Sequence, residues 1–322
     1  KTERGDRVFP VSDRSDEILD ALLTEIRSAG VTVKTAAGVT AVNQGEAGFE
    51  TISRRGECRS RTVVIATGGL SMRRSGSDGT GYEIARGLGH SIETPRPSLV
   101  PLITAETWPR EVAGLALKNV ALSAALKGKR IRRFGEMLFT HHGIGGPITL
   151  EISCRLTDIL HSEGGPVQVE IDLKPALDEK KLDARLLREL HENPRRRFST
   201  VLTTLMPESL AEIFVNHFGF TRETGASHVT RDERVRLRML LKALPLTVTA
   251  TEPIESALVT RGGVSLSEID PRTMESKLIP GLFFAGEIID ADGDCGGYNL
   301  QMCWATGMLA GKNAAARGKS LR

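Results

Sequence analysis

The 322-residue sequence is short of several things, and each shortage closes off a class of protein. Net charge is nearly missing: 43 Lys and Arg stand against 40 Asp and Glu, an excess of three. That is too close to balance to argue for nucleic acid or an anionic membrane as partner. No apolar run approaches the ~18 residues a membrane span requires. The opening KTERGDRVFP is charged and polar where a secretory signal would be apolar. Cys58, Cys154, Cys295 and Cys303 form no CxxC pair and no zinc-ligand spacing, so no metal is expected, and reduced thiols in a cytoplasm are. Trp108 and Trp304 are isolated and read as hydrophobic anchors, and the basic run PRRRF (194–198) reads as a solvated helix end. Internal repeats and low-complexity tracts are absent, and the chain opens without a methionine. What is present is an ordinary globular composition, 40% hydrophobic, long enough to bury a substantial core in two or three domains.

Residues 13–28 carry a helical pattern, with Ile18, Leu19, Leu22, Leu23 and Ile26 on one face and Asp13 or Ser15 as cap. Gly30 ends it, VTVKTAAGVTAV reads as short β-branched strands, and GFETISRRGECRSR reads as a hairpin. TVVIATGG is then a buried strand running into two glycines, which suits an α/β nucleotide-binding layer. From about Pro95 the texture becomes β-rich: SLVPLIT, VALSAAL, KRIRRFG, MLFTHHG and VQVEIDL are short and punctuated by turn residues. Residues 175–245 read as helices, with Pro207 placed for a first helical turn. Strand texture returns with LTVTATEP, and GLFFAGE followed by a helix from Asn299 restores the α/β pattern. The expected organisation is a split α/β domain (1–92 and 266–322), an inserted β-rich domain (93–174 and 246–265) and a helical subdomain (175–245).

The most informative stretch is AGEIIDADGDCGGYNLQMCWATG, 285–307. In open α/β sheets, ligands sit beyond the carboxyl ends of strands, where helix N-termini point free N–H groups at negative charge. Glu287 falls just past such a strand end and is placed to accept hydrogen bonds from sugar-alcohol hydroxyls. Gly296 and Gly297 let backbone approach a flat ring. Asn299 then opens a helix whose first N–H groups suit the N1/O2 edge of a flavin, favouring its reduced state. Ala305, Gly307 and Gly311 are expected to let this helix press on the sheet. Ala66, Thr67 and Gly68 of VVIATGG are expected at a neighbouring strand end, near the ADP half of a dinucleotide.

These motifs, together with GDRVFPVSDRSDEILDALL, GSDGTGYEIARGLGHSI, LVPL, MLFTHHGIGGP and the run from VTRGGVSL to CWATG, carry a resemblance. The chain is similar to the bacterial BaiN/YhiN-type FAD flavoproteins, also called the aminoacetone-oxidase family. The likeness spans nearly the whole chain and is most specific in the last 65 residues. It implies a glutathione-reductase-like FAD domain interrupted by a β-barrel-like domain and a small helical domain, with FAD as cofactor. It implies that Val39 contacts adenine through its backbone and that Ala66, Thr67 and Gly68 flank the ADP moiety. Gly286 and Glu287 would border the ribitol–pyrophosphate region, and Gly297, Asn299 and Leu300 the isoalloxazine. Arg7, Phe9 and Pro10 match R-V-F-P and border the flavin or serve as core and turn; SMRRSGSDGTGY departs from the family's aromatic-and-proline form. His141, in F-T-H-x-G, is the catalytic candidate for proton exchange, with His142 beside it. Cys295 is expected to be an inert thiol. The family's opening GxGxxG unit does not occur before Gly68, so the sequence is expected to be an N-terminally truncated form that binds FAD poorly or not at all.

The expected activity is a cytoplasmic FAD-dependent oxidoreductase moving a hydride between flavin and a small organic substrate, with NAD(P)H or oxygen as redox partner. An amine or aminoketone oxidase and an NAD(P)H-dependent reductase both stay open. From a different class, a flavin-dependent RNA-modifying protein or a non-catalytic binding module is the alternative.

Overall fold

A computed structural model describes residues 1–3, 7–126, 128–162, 164–221 and 225–320, so Gly5 and Asp6 of the opening motif lie outside the described residues. The chain divides into two compact units, residues 1–96 with 259–322, and residues 97–258.

The first unit begins with β1 (Thr2–Glu3), β2 (Arg7–Val8) and α1 (Asp16–Ser28). Asp16 and Glu17 complement the start of α1 and Arg27 its end. Gly30, at φ +70°, closes the helix by donating its N–H to the Arg27 carbonyl. Ser15 occupies the cap position without a side-chain bond into the helix. Residues 31–38, expected as strand, form none, and Val31 and Val33 are exposed. β3 (Val39–Gly45), β4 (Gly48–Ser53) and β5 (Gly56–Ser60) make an antiparallel meander. β6 (Val63–Ile65), α2 (Thr80–Gly87) and β7 (Ile92–Ser98) follow.

The second unit contains β8 (Leu102–Thr104), β9 (Ala116–Leu126), β10 (Lys129–Phe139), β11 (Gly143–Gly145), α3 (Pro147–Ser162), β12 (Val167–Asp172), α4 (Glu179–Glu192), α5 (Phe198–Leu202), α6 (Glu208–His217), α7 (Arg231–Lys242) and β13 (Leu244–Thr251). Its strands close into a barrel in the order β10-β11-β8-β13-β12-β9. Period-two alternation drives the closure: Val167, Val169 and Ile171 of β12 sit opposite Val248, Leu246 and Leu244 of β13, and all six are buried. Helix α3 was not expected from the sequence. It lays Ile148, Ile152 and Leu156 into the barrel's apolar cluster, and a Cβ at Gly135 of β10 would stand 2.9 Å from Ile148. Asp178 caps α4 by accepting the Lys181 N–H at 2.8 Å, and Thr230 and Glu233 cap α7 reciprocally. The apolar faces of these helices, Leu182, Leu186, Leu237 and Leu241 among them, join the same cluster as the barrel.

The chain returns to the first unit with β14 (Val259–Val264), which pairs with β7, then β15 (Leu282–Phe284) and α8 (Tyr298–Ser320). β15 and β6 run parallel, Leu282 opposite Val63 and Phe284 opposite Ile65. Helix α8 turns Thr306, Ala310 and Ala314 inward. Gly307 and Gly311 face open space, with nothing within 4 Å of an added Cβ, and Ala305 is exposed. The expectation that those three small residues press the helix onto the sheet is therefore corrected: the buried stripe lies one residue away. Among the described residues no helix is long and apolar enough to cross a membrane.

Candidate functional site

Because β6 and β15 are adjacent and parallel, their carboxyl ends open at the same edge. The Ala285 N–H donates to the Ile65 carbonyl at 3.1 Å, so the pairing persists one residue past the strand. Beyond it Gly286 takes φ +77° and gives its N–H to Thr306 Oγ1 on α8 at 3.0 Å, tying the strand exit to the helix. Glu287 turns back across the other strand end. Its Oε1 accepts the Ser71 hydroxyl at 2.8 Å and the Thr260 N–H at 2.7 Å. Thr260 Oγ1 in turn accepts the Leu70 and Ser71 N–H groups, at 2.8 and 2.9 Å. A Cβ at Gly69 would lie 2.3 Å from Thr260 Oγ1 and 2.7 Å from Glu287, so only glycine fits this crossing. Ser71 and Thr260 were not singled out from the sequence; both are ordinary hydroxyl residues, and Ser71 lies 216 positions from Glu287.

The other expected residues fall as follows. Ala66 and Thr67 are exposed at the end of β6, and Gly68 adopts φ +75°. The Thr67 hydroxyl nests against the first turn of α2, where a Cβ at Gly81 would come within 1.9 Å of it. Val39 opens β3 and packs against the unit's apolar cluster. Helix α8 starts at Tyr298, one residue before the expected Asn299. The Asn299 side chain clamps the preceding loop, accepting the Gly293 N–H at 2.8 Å and donating to the Gly293 carbonyl at 2.9 Å. Gly296 and Gly297 both take positive φ, +124° and +94°, and a Cβ at Gly297 would meet nothing within 4 Å. Leu300 is exposed. Arg7 approaches the same loop, its Cδ 3.7 Å from where a Cβ of Gly296 would stand.

The electrostatics of this edge are acidic but tempered. Burial, reinforced by Glu93, pushes the Asp290 carboxyl above its ordinary value. Asp292 is met by Arg261 at 3.3 Å. Burial and then the charge of Glu287 push the Cys303 thiol upward, which holds it as an unreactive thiol. A separate hollow of about 580 Å³, lined by the β3–β4 turn and by Arg59–Arg61, contains none of these residues.

In the second unit His141 and His142 are exposed in the turn after β10. Among the described residues it is His142, not the favoured His141, that has a carboxylate partner, with Nδ1 2.6 Å from Glu252 Oε1. The turn itself is held by Thr140 Oγ1, which accepts the Gly143 N–H at 3.0 Å.

Comparison with known proteins shows the family. The family model for the HI0933-like protein Rossmann domain matches residues 1–313. The chain is 32% identical over 316 residues to the 3-dehydro-bile acid delta(4,6)-reductase of Clostridium scindens, covering 98% of this chain and 76% of that protein. It is 30% identical over 297 residues to the ribosomal RNA dihydrouridine synthase of Haemophilus influenzae, covering 91% of this chain and 71% of the relative. With the protein of the same name from Escherichia coli it shares 30% identity over 309 residues, 96% of this chain and 74% of the relative. The chain thus belongs to the HI0933-like Rossmann-domain family.

Proposed function

We propose that this chain is the body of an FAD-dependent oxidoreductase that reduces a carbon–carbon double bond conjugated to a carbonyl group in a small organic molecule. The observation that carries the flavin reading is the convergence of Gly69, Glu287 and the entry to α8 on two adjoining parallel strand ends. Two features of that edge fit a flavin: Gly297 leaves open space where a side chain would stand, and among the described residues both Glu287 side-chain bonds fall on Oε1, which leaves Oε2 to accept a ligand hydroxyl. The reaction class is supported by the relatives' names. A 3-dehydro bile acid with double bonds at positions 4 and 6 and a uracil base are both alkenes conjugated to a carbonyl, and both named reactions saturate them. FAD, when bound and reduced by NAD(P)H as the proposed source of electrons, would supply a hydride for the far carbon of such a bond.

The protein's part is to bind and orient. Glu287 fixes hydroxyls of the cofactor's side chain, while Asn299 stiffens the glycine loop through Gly293. The first N–H groups of α8 favour negative charge at the ring edge. Ala66, Thr67, Gly68, Gly286 and Val39 are proposed to line the rest of the cofactor, Leu300 its ring, and His141 to exchange protons.

The test is reconstitution with excess FAD, followed by anaerobic reduction with NAD(P)H and mixing with enones, enoates and amines. Flavin absorbance near ~450 nm should appear and then be restored by enones, and Glu287→Ala should weaken FAD binding about 10- to 100-fold. Absence of flavin uptake ends the proposal; reduction by an amine with peroxide release and no nicotinamide turns it into an oxidase. A second reading, reduction of uracil within RNA, is favoured by the two dihydrouridine synthase relatives. It predicts re-oxidation by a uridine-containing RNA and affinity that falls steeply with salt.

A further inference from the structure

Tyr298 opens α8, one residue beyond Gly297 and one before Asn299. Two glycines of the preceding loop make its seat. A Cβ at Gly293 would stand 3.1 Å from the Tyr298 Cβ, and one at Gly296 would stand 3.7 Å from its Cε2, so side chains at those positions would crowd the ring. Although seated, Tyr298 is 64% exposed, and among the described residues its hydroxyl has no hydrogen-bond partner. Such a phenol is open to a bound molecule and carries a proton to give. Other polar groups at this entry are already engaged: Asn299 clamps Gly293, Glu287 Oε1 takes Ser71 and Thr260, and the Thr306 hydroxyl donates to the Met302 carbonyl. Saturating an alkene conjugated to a carbonyl takes one hydride and one proton. As the hydride bonds to the far carbon, the π pair moves to the carbon beside the carbonyl, and that carbon then takes the proton.

We propose that Tyr298 is a catalytic residue whose phenol delivers this proton to the substrate carbon beside the carbonyl. The phenol O–H bond breaks as the new C–H bond forms, and water returns a proton to the phenolate. The two electrons of the reduction arrive with the hydride, from flavin reduced by NAD(P)H, so no further reagent is needed. The inference rests on the proposed function above and adds to it the group that completes the saturation, from the same unit as the glycine loop; His141 belongs to the second unit.

The experiment has two readouts. The chain has two tyrosines, and the other, Tyr82, is 3% exposed, so acetylation by N-acetylimidazole with peptide mass spectrometry reports on Tyr298. Ligand-free protein should be labelled at Tyr298, and saturating FAD should protect it. The second readout is Tyr298→Phe, which keeps the aromatic ring and removes the proton. FAD uptake should be unchanged, while re-oxidation of the reduced flavin by an enone slows about 100-fold, as for loss of a general acid. Flavin that binds without protecting Tyr298 overturns the inference. So does an unchanged rate in Tyr298→Phe, whether or not His141→Ala slows the reaction. Loss of FAD uptake in Tyr298→Phe overturns it too, since the residue would then hold the cofactor instead. Wild type that takes up no flavin, or whose reduced flavin no enone re-oxidises, brings down the proposed function and this inference with it.

Discussion

Phe139 in the barrel and Leu19 on α1 are both large hydrophobes on the apolar face of their element, yet Phe139 is 0% exposed and Leu19 55%. The contrast runs through the two units. In the second, every barrel strand has a partner on both sides, and α3, α4 and α7 feed their apolar stripes into one cluster. In the first, α1 buries none of its residues, and α8 shows Leu300, Trp304 and Met308 to solvent along one stripe. The parallel pair β6/β15 has two strands, and Val64 at its centre is exposed. Parallel strands are stable when covered on both faces, which is why all-parallel sheets are found inside α/β layers. The barrel completes its own core. The α/β unit concentrates its tight packing at the strand ends around Glu287 and leaves other faces open.

The comparison breaks most easily at those two side chains. Phe139→Ala should cost about 3–5 kcal/mol, since it removes a fully buried aromatic and leaves a cavity in a closed barrel. Leu19→Ala should change stability by less than about 0.5 kcal/mol, because there is little contact to lose. Urea unfolding of both variants, followed by far-UV circular dichroism, measures the difference. Similar losses for the two would mean that α1 is covered in solution and that the contrast between units is mistaken.

What was legible in the sequence follows the same line. The helix at 16–28 is written in its apolar spacing, but spacing cannot say whether that face meets anything. Individual barrel strands were readable from alternation, whereas closure was not, because it sets Leu102–Thr104 beside β13, some 140 positions away. Helix α3 was hidden by the β-rich texture around it, although Pro147 followed by Ile148, Ile152 and Leu156 is a helical start with a helical stripe. At the candidate site the glycines and Glu287 were legible because strand-to-helix chemistry is local. Ser71 and Thr260 were not, since their roles depend on bonds across the fold.

A sharper version of the comparison stays inside the first unit, between its dense corner and its open helix face. Gly69→Ala puts a methyl 2.3 Å from Thr260 Oγ1 and 2.7 Å from Glu287, so the network must shift. A cost of about 1–3 kcal/mol is expected, as for overpacking elsewhere. Gly311→Ala places its methyl in open space on α8 and should stabilise by roughly 0.5–1 kcal/mol through helix propensity. Thermal melting of the two variants should move in opposite directions, and a Gly69→Ala protein as stable as wild type would show that the corner is looser than its distances say.

The smallest expected effect is a pH dependence lodged in the same unit's interior. His90 is buried against Phe284, with Nδ1 3.0 Å from Glu268 and Nε2 2.9 Å from the Ser276 hydroxyl. Ser276 Oγ already accepts the Leu278 and Ile279 N–H groups, so its own proton goes to Nε2, and the neutral imidazole donates to Glu268 through Nδ1. Burial lowers the His90 pKa from its ordinary 6.5, against the pull of Glu268. Burial raises Glu268, but the bonds from Ser91 and His90 outweigh it and hold that carboxyl below 4.5. Both groups therefore bind protons more readily in the unfolded chain. Their stabilising contributions are present above the unfolded values and are lost as pH falls, that of His90 beginning near 6.5 and that of Glu268 near 4.5. Between pH 7 and 5 the wild-type unfolding free energy should fall by less than the ~1.4 kcal/mol per pH unit that one proton permits. His90→Asn should flatten that slope while lowering stability at pH 7. An unchanged slope in the variant would mean that His90 is charged in the folded protein, and the neutral, tautomer-fixed network would have to be redrawn.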